Sequence, residues 1–214
     1  WMAIGPSIAN SVFIAISATT LTIIIAVGAA YFFARNKMPG WRIFWAAFVV
    51  LLLMPNIANL IPLFSLLKKI NLLNTFTALI LVGASGGQAI TVYILRNFIE
   101  EIPKDLFESA QLDGAGHFKQ IVHVVIPYTG SILSTLAILR FIAEWNSFVL
   151  PLIVLRDEFK WPISVKLYQM EGAYVQQWGP MMASYAIAAL PLILLFIFTM
   201  QFFLKVLNSG ALKG

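Results

Sequence analysis

The sequence predicts an all-α protein that crosses a membrane several times as a bundle of helices. Hydrophobic residues make up 60% of the 214 residues and charged residues only 11%, whereas soluble domains average about 45–50% and about 25%. The apolar residues gather in continuous stretches that reach the roughly 20 residues a helix needs to cross the hydrocarbon core. These stretches lack the two-residue alternation that is typical of membrane β-barrel strands.

The same composition excludes several other classes of protein. Disordered chains combine low hydrophobicity with high charge, which is the opposite of this sequence. The sequence contains no cysteine, so it is not a small domain held by disulfides. The formal net charge is +5. In a membrane protein, basic residues indicate first which side of the membrane a loop lies on, so this charge does not by itself indicate nucleic-acid binding.

Five stretches are long enough to span, and we expect them to form one transmembrane domain over residues 1–214. They are residues 8–34, 44–67, 76–95, 131–155 and 181–204. Only the fourth contains charged residues, Arg140 and Glu144. No charged segment precedes the first stretch and no small-residue cleavage site follows it, so it is not a signal peptide.

Basic residues predict the orientation, because cytoplasmic loops are enriched in lysine and arginine. If the five stretches alternate in direction, one side of the membrane holds eight basic residues and the other holds five. The richer side contains residues 35–42, residues 96–127 and the C-terminal tail. We therefore expect these three segments to be cytoplasmic.

The longest polar stretch, residues 96–127, contains five of the nine acidic residues. A loop of this length between membrane helices is uncommon unless it has a function. Pro103 is tolerated in the first turn of a helix, and Asp105 early in that helix suits the helix dipole. The turn at residues 114–116 contains two glycines, which adopt the left-handed conformation at little cost. A second helical stretch, residues 118–126, then leads into the next span.

This loop resembles the cytoplasmic "EAA" loop in permeases of binding-protein-dependent ABC importers. The pattern of that family is Glu-Ala-Ala, three residues, Gly, nine residues, Ile, one residue, Leu-Pro. In this chain Glu108-Ser109-Ala110 is followed at that spacing by Gly114 and Pro127. Serine in place of the first alanine, and valine and isoleucine at the two aliphatic positions, are mild departures. The Asp-Gly-Ala that the family has around the glycine is also present.

The resemblance covers essentially the whole chain. AAYFFAR at residues 29–35 looks like part of the second helix of carbohydrate-type permeases. EWNSFVLPLIVL at residues 144–155 is similar to their W-N-x-F-x-x-P-L segment, and SGALKG at residues 209–214 is similar to the tail of a maltose-type subunit. Members usually have six helices, so we expect that a first helix is missing before Trp1.

The resemblance implies a multi-pass permease subunit for a sugar or related small solute, in the plasma (inner) membrane of a bacterium or an archaeon. Its implied partners are a homologous second permease subunit, a pair of ABC ATPase subunits and an extracytoplasmic solute-binding protein. The chain would be no enzyme and would bind no cofactor, because the partner subunits use the ATP. Its helix from Glu108 to Gly114 would dock on an ATPase subunit. The residues implied in this coupling are Glu108, Ser109, Ala110, Asp113, Gly114, Ala115 and Pro127.

Polar residues within the apolar stretches are candidates for the translocation path. They are Asn56, Asn59, Arg140, Glu144 and Asn146. Arg140 and Glu144 lie four residues apart on one helical face, and charges within a span usually face a cavity or a partner. This pair either lines the path or forms an ion pair that locks the bundle. The asparagine amides of the second stretch either bind a sugar hydroxyl or bridge helices, which is the commoner role.

Two other functions remain open from the sequence. One is an ABC permease for a solute other than a sugar. The other is a secondary transporter, driven by an ion gradient, that uses Glu144 for coupling and needs no ATPase; the loop motif argues against it. No metal site is expected, because the chain has no cysteine and His117 and His123 lie on different helical faces.

Overall fold

The computed structural model describes residues 4–36, 39–52, 59–173 and 178–211. Within these ranges every element of secondary structure is helical, and no strand is present. A helix satisfies its backbone hydrogen bonds within one segment, which is what an apolar segment requires in lipid. The all-α class predicted from the sequence is confirmed.

The helices are numbered in chain order. The earlier ones are α1 (Ile4–Arg35), α2 (Trp41–Leu51), α3 (Leu60–Lys69), α4 (Phe76–Gly86), α5 (Gln88–Glu100) and α6 (Lys104–Leu112). The later ones are α7 (His117–Gln120), α8 (Ile126–Tyr128), α9 (Gly130–Trp145), α10 (Val149–Val154), α11 (Ile163–Ala173) and α12 (Trp178–Ala211). A π-helical turn, Ile121–Val125, joins α7 to α8, and a 3₁₀ turn, Glu158–Lys160, precedes α11.

Two helices are each long and apolar enough to cross a membrane, namely α1 and the part of α12 from Trp178 to Met200. Two bent pairs, α4 with α5 and His117–Tyr128 with α9, meet the same test if each pair is one span. Four of the five stretches predicted from the sequence overlap these candidates. The other stretch, residues 44–67, coincides with α2 and α3, and residues 53–58 between them lie outside the described part.

The chain divides into two compact units, and α1 contributes its first half to unit 1 and its second half to unit 2. Unit 1 comprises Trp1–Thr19, Asn56–Ala84 and Ile138–Gln201. Two clusters of buried apolar side chains form its core. The first cluster, from α1, α3, α4 and the region of α10, contains Ile14, Leu67, Ala78, Leu79, Val154 and Leu155. The second, from α9, α11 and α12, contains Trp145, Ile163, Leu167 and Ala188.

Unit 2 comprises Thr20–Pro55, Ser85–Ala137 and Phe202–Gly214. One buried cluster joins the second half of α1 to α5, α6 and the start of α9. Its members are Ala26, Val27, Ala30, Tyr31, Val92, Leu95, Ile99, Ile102, Phe107, Val125, Leu133 and Leu136. The two alanines are fully buried, and small residues of this kind let membrane helices approach closely. This core fixes α6 against α1.

The fourth predicted stretch, residues 131–155, is not one continuous helix. A break at residues 146–148 separates α9 from α10. Pro151 has no N–H to donate to the carbonyl of Ser147. That carbonyl instead accepts a hydrogen bond from the hydroxyl of Ser164 at 2.7 Å. The proline therefore interrupts the helix, although the predicted stretch is continuously apolar in the sequence.

The helix that contains the end of the third predicted stretch, residues 76–95, extends beyond that stretch. α5 continues to Glu100, so the first five residues of the predicted loop are helical. Arg96 and Glu100 form an ion pair one turn apart. The guanidinium of Arg96 also lies over the ring of Trp45, 4.5 Å from its centroid. These contacts allow the helix to continue past the apolar residues.

Candidate functional site

The candidate site is the segment that follows α5, which we call the loop segment and define as residues 101–128. Its first helix, α6, begins directly after Pro103, whose backbone is extended at ψ 134°. The Leu106 N–H donates to the carbonyl of Pro103 at 3.3 Å. Asp105 lies in the first turn, where a negative charge is stabilised by the helix dipole. The helix therefore starts where the sequence predicts it.

α6 ends in a Schellman motif centred on Gly114. The Ala115 N–H donates to the carbonyl of Ala110 at 2.9 Å, and the Gly114 N–H donates to the carbonyl of Gln111 at 3.0 Å. Gly114 has a φ of +75°, in the left-handed region where a residue with a Cβ is strained. The backbone itself therefore favours glycine at this position.

Phe107 anchors α6 from its inner side. The ring is 3% exposed and belongs to the buried cluster of unit 2. The guanidinium of Arg35, at the end of α1, lies 3.9 Å from the centroid of the Phe107 ring. The ring of Tyr31 lies 6.3 Å from it, centroid to centroid. One side chain of the loop segment is thus held by a cation–π contact and by an aromatic contact with α1.

Tyr31 also holds the start of α7 through a small hydrogen-bond network. The Gln120 side-chain amide donates to the carbonyl of Ala115 at 3.0 Å, which directs its oxygen toward Tyr31. The Tyr31 hydroxyl donates to that oxygen at 2.8 Å. The hydroxyl oxygen then accepts from Nδ1 of His117 at 2.9 Å, which assigns a proton to Nδ1. Tyr31 and Gln120 are both buried, so water competes little for these bonds.

The side of α6 that faces away from the core is exposed. Asp105, Glu108, Ser109 and Leu112 recur every three or four residues and therefore share this side. Leu112 is 89% exposed, and Phe118, just beyond the turn, is 78% exposed. Large apolar side chains exposed beside charged ones are typical of surfaces that bind another protein. We call the surface formed by Glu108, Ser109, Leu112 and Phe118 the docking face.

The second half of the loop segment is an irregular helix. The π-helical turn Ile121–Val125 is followed by Pro127 in α8. The carbonyl of Val125 accepts both the backbone N–H of Thr129, at 2.9 Å, and its hydroxyl, at 2.7 Å. The helical direction changes by 84° between His117–Tyr128 and α9. π-helical turns are frequent at functional sites.

The coupling residues implied by the resemblance lie mostly together. Six of the seven belong to α6 and its C-terminal turn, whereas Pro127 lies in α8. The exposed members of the six are Glu108, Ser109, Asp113 and Gly114, and the half-buried members are Ala110 and Ala115.

Arg140 and Glu144 form an ion pair within α9. The Nη2 atom of Arg140 also donates to the carbonyl of Gly83 on α4 at 3.0 Å. A Cβ atom added at Gly83 would lie 2.5 Å from Oε2 and 2.8 Å from Cδ of Glu144, so the carboxylate occupies the space beside the glycine. The charged pair therefore joins α4 to α9. This geometry fits the locking role expected as one alternative, and a role in the translocation path stays a prediction.

The three asparagines among the path candidates lie in different places. Asn56 is outside the described residues. Asn59 is exposed and immediately precedes α3. Asn146 is exposed after the end of α9, where its amide donates to the carbonyl of Ile142 at 2.8 Å. Asn146 also lines an open cavity of about 380 Å³ in unit 1.

Sequence reasoning misses the residues that hold the loop segment from the inside. In the sequence, Arg35 only marks orientation, His117 is weighed only as a metal ligand, and Tyr31 is one hydroxyl in an apolar stretch. The one available signal is a polar ring close to the end of a long apolar helix. Within the described ranges, no group of three or more His, Cys, Asp or Glu side chains is arranged to hold a metal ion.

Comparison with known proteins agrees with the resemblance seen in the sequence. Residues 22–210 match the family described as binding-protein-dependent transport system inner membrane component. A probable ABC transporter permease protein of Pyrococcus horikoshii is 34% identical over 196 residues, which cover 91% of this chain and 71% of the relative. The trehalose/maltose transport system permease protein of Thermococcus litoralis is 30% identical over 207 residues, which cover 96% and 74%.

The fold is similar to that of a chain from a bacterial ABC transporter involved in the import of the acidic polysaccharide alginate. The TM-score is 0.84 at 22% identity, and the match covers 95% of this chain and 76% of that chain. The relatives are subunits of transport systems and not enzymes. The chain therefore belongs to the family of binding-protein-dependent transport system inner membrane components, as a membrane-embedded permease subunit of an ABC importer.

Proposed function

We propose that this chain carries a sugar or a sugar-derived small solute across the plasma membrane as one of two homologous permease subunits. A solute-binding protein outside the cell delivers the solute, and two ATPase subunits inside the cell supply the energy. The chain itself binds no nucleotide, and its sequence has no G-x-x-x-x-G-K-[ST] pattern for cradling phosphates.

The docking face is the observation that carries this proposal. It combines the exposed side chains of Leu112 and Glu108, on the nine-residue helix α6, with the exposed ring of Phe118 on α7. An amphipathic helix surface of this size suits a groove on a partner protein. The ATPase subunit is the partner whose position on the cytoplasmic side matches the predicted orientation of the loop segment.

The inner contacts of the loop segment supply a route for force. A partner that moves α6 also moves Phe107, and Phe107 bears on Arg35 and Tyr31 at the end of α1. The Tyr31 hydroxyl extends the same connection to His117 and Gln120. α1 is a candidate membrane span of 32 residues. Motion of the ATPase subunits thereby tilts membrane helices between inward-facing and outward-facing arrangements.

Sugar is the favoured substrate class because of the relatives and the motifs together. The relative from Thermococcus litoralis is named for trehalose and maltose, and the structural neighbour imports alginate. The W-N-x-F-x-x-P-L segment at residues 145–152 matches the carbohydrate-type pattern.

Cysteine cross-linking tests the coupling role directly, because the chain has no natural cysteine. In the complete transporter, Ser109→Cys on the docking face is expected to cross-link to a cysteine introduced in the groove of the ATPase subunit. The yield is expected to change when ATP is added. Glu158→Cys, an exposed position on the opposite predicted side of the membrane, is the matched control. No cross-link from Ser109→Cys during ATP turnover would refute the coupling role.

Uptake into vesicles separates this proposal from ion-driven transport. Sugar uptake is expected to require ATP on the side of the ATPase subunits and to persist when ion gradients are dissipated. Uptake that continues without ATP but stops when the ion gradient is removed would instead identify a secondary transporter.

A further inference from the structure

An open groove runs beside α3 in unit 1. Its volume is about 440 Å³, within the roughly 300–1,000 Å³ that ligand pockets occupy. The side chains that line it are all apolar, namely Leu60, Ile61, Phe64 and Ile153. Ile61 is 80% exposed, so the described part of the chain leaves this side of the groove open. The lining side chains offer no hydrogen bond to a polar solute, and an apolar occupant is therefore expected.

Two lysines follow the groove along α3. Lys68 and Lys69, which we call the lysine pair, belong to the last turn of the helix and are both exposed. They come directly after the apolar stretch 44–67, so their ammonium groups are expected at a membrane–water interface. Ile61, Phe64 and Lys68 follow each other at spacings of three and four and share one side of the helix. Helical side chains lean toward the N-terminus of the helix, which directs Lys68 toward the turn of Phe64.

The charges of the lysine pair are not neutralised by the part of the chain that the structure describes. Lys160 pairs with Asp157 at 3.9 Å, and Lys166 pairs with Glu158 at 3.8 Å. Neither member of the lysine pair forms an ion pair with a described residue. Two exposed positive charges therefore lie beyond an apolar groove without an anion beside them.

The spacing between the groove and the charges matches the dimensions of a lipid leaflet. Seven residues separate Ile61 from Lys68, which is about 10 Å along the helix axis. One leaflet supplies about 15 Å of hydrocarbon below the headgroups. A phospholipid can therefore contact the groove with an acyl chain and the lysine pair with its phosphate. An apolar helix of a partner subunit would fill the groove but supply no anion, and a soluble phosphate would meet the charges but leave the groove uncovered.

We infer that this part of unit 1 is a binding site for an anionic phospholipid, with an acyl chain in the groove along α3 and the headgroup phosphate on the lysine pair. A headgroup with a net negative charge, such as that of phosphatidylglycerol, is preferred over phosphatidylcholine, because the ammonium group of phosphatidylcholine offsets its phosphate. The inference goes beyond the proposed function, since it depends neither on the transported solute nor on the ATPase subunits.

Photo-cross-linking from the lipid tests this site in the complete transporter. The transporter is reconstituted in phosphatidylcholine nanodiscs that contain a trace of a probe, either phosphatidylglycerol or phosphatidylcholine with a diazirine on one acyl chain. Mass spectrometry then measures the lipid attached to residues 60–69 of this chain. The phosphatidylglycerol probe is expected to label this segment about 30-fold more strongly than the phosphatidylcholine probe, which corresponds to about fivefold for each lysine.

Variants of the lysine pair test the headgroup contact. Lys68→Gln and Lys69→Gln are each expected to lower the preference for phosphatidylglycerol about fivefold, and the double variant is expected to abolish it. The matched control replaces both lysines by arginine, which keeps the two charges and is expected to keep the preference.

A second pair of variants tests the groove. Ile61→Trp places a larger side chain in the groove at an exposed position, and it is expected to lower labelling by both probes severalfold. Leu66→Trp is the matched control, because Leu66 is 53% exposed on the same helix but does not line the groove.

Three outcomes would overturn the lipid site. Equal labelling by the two probes would remove the role of the headgroup charge. A preference for phosphatidylglycerol that survives the double glutamine variant would place the headgroup away from the lysine pair. Absence of labelling by both probes would show that another occupant, such as a helix of a partner subunit, covers the groove.

Discussion

One hydroxyl group, on Tyr31, connects α1 to two residues of the loop segment. It donates to Gln120 and accepts from His117, and no sequence pattern singles it out. The same ring contacts Phe107 of α6. At the scale of single residues, the coupling proposal therefore depends on buried contacts as much as on the exposed residues of the "EAA" motif.

Tyr31→Phe is expected to weaken the coupling between ATP hydrolysis and transport. The substitution keeps the ring but leaves the Gln120 oxygen buried without its donor, which costs about 1–3 kcal/mol. The measurement is the number of sugar molecules taken up per ATP hydrolysed in proteoliposomes, which is expected to fall while hydrolysis continues. Tyr128→Phe, at a ring that is 55% exposed, is the control and is expected to behave as wild type. An unchanged ratio in Tyr31→Phe would rule out this connection.

Gly114→Ala is expected to loosen the turn after α6. A Cβ at a φ of +75° costs about 1–2 kcal/mol, although nothing lies within 4 Å of the added atom. Hydrogen exchange of the Ala115 amide, which closes the Schellman motif, is expected to become about 5–30-fold faster. Gly116→Ala is the matched control, because Gly116 has an equally open surrounding and a φ of −69°. Equal exchange rates in the two variants would show that the left-handed backbone is not the constraint.

At the scale of elements, α4 and α9 are joined by a charged pair over a glycine. A buried ion pair contributes little to stability by itself, but breaking it leaves an uncompensated charge. Glycine at position 83 leaves the space that the Glu144 carboxylate fills. The hydrogen bond from Arg140 to the carbonyl of Gly83 thus links the two helices at a defined position.

Gly83→Ala is expected to lower the thermal stability of the purified permease. The added methyl group would overlap Glu144, and such overpacking costs about 1–3 kcal/mol. Gly86→Ala on the same helix meets nothing within 4 Å and is the control. Thermal unfolding in detergent measures both variants, and equal midpoints would contradict the close contact.

Substitution of Arg140 and Glu144 distinguishes the two roles left open by the sequence, locking the helices or lining the translocation path. A locking role predicts that Arg140→Gln and Glu144→Gln each lower the unfolding temperature while transport remains at the wild-type rate. Transport that fails in a variant of unchanged stability would assign the pair to the translocation path.

The sequence predicts elements well where local chemistry decides them. Pro103 and Gly114 mark the start and end of α6. Proline restricts the backbone and glycine allows the left-handed conformation, whatever the tertiary context. The break at residues 146–148 is only partly foreseeable: Pro151 is visible in the sequence, but the residue that satisfies the freed carbonyl of Ser147 is Ser164, which is more distant along the chain. The extension of α5 depends in the same way on the contact of Arg96 with Trp45.

At the scale of the whole molecule, the distribution of basic residues sets the expected orientation in the membrane. We expect the loop segment and the C-terminal tail on the side with eight basic residues, and the turn at Glu158–Lys160 on the other side. The docking face can bind the ATPase subunits only if it lies on the same side of the membrane as they do.

Labelling with a membrane-impermeant maleimide measures this orientation. Ser109→Cys is expected to react in inside-out vesicles only, and Glu158→Cys in right-side-out vesicles only. Both positions are exposed in the permease chain, so in vesicles that lack the ATPase subunits a difference in labelling reports the side of the membrane. The reverse pattern would invert the topology and remove the docking face from reach of the ATPase subunits.

The exposure of Leu112 and Phe118 has a consequence for how the importer is assembled. If the docking face binds the ATPase subunits as proposed, a subunit made without them leaves Leu112 and Phe118, which are 89% and 78% exposed, uncovered in water. Such an orphan is prone to self-association and to capture by chaperones and proteases. On the proposed function, synthesis of the permease in balance with its ATPase is therefore expected to protect the permease from degradation.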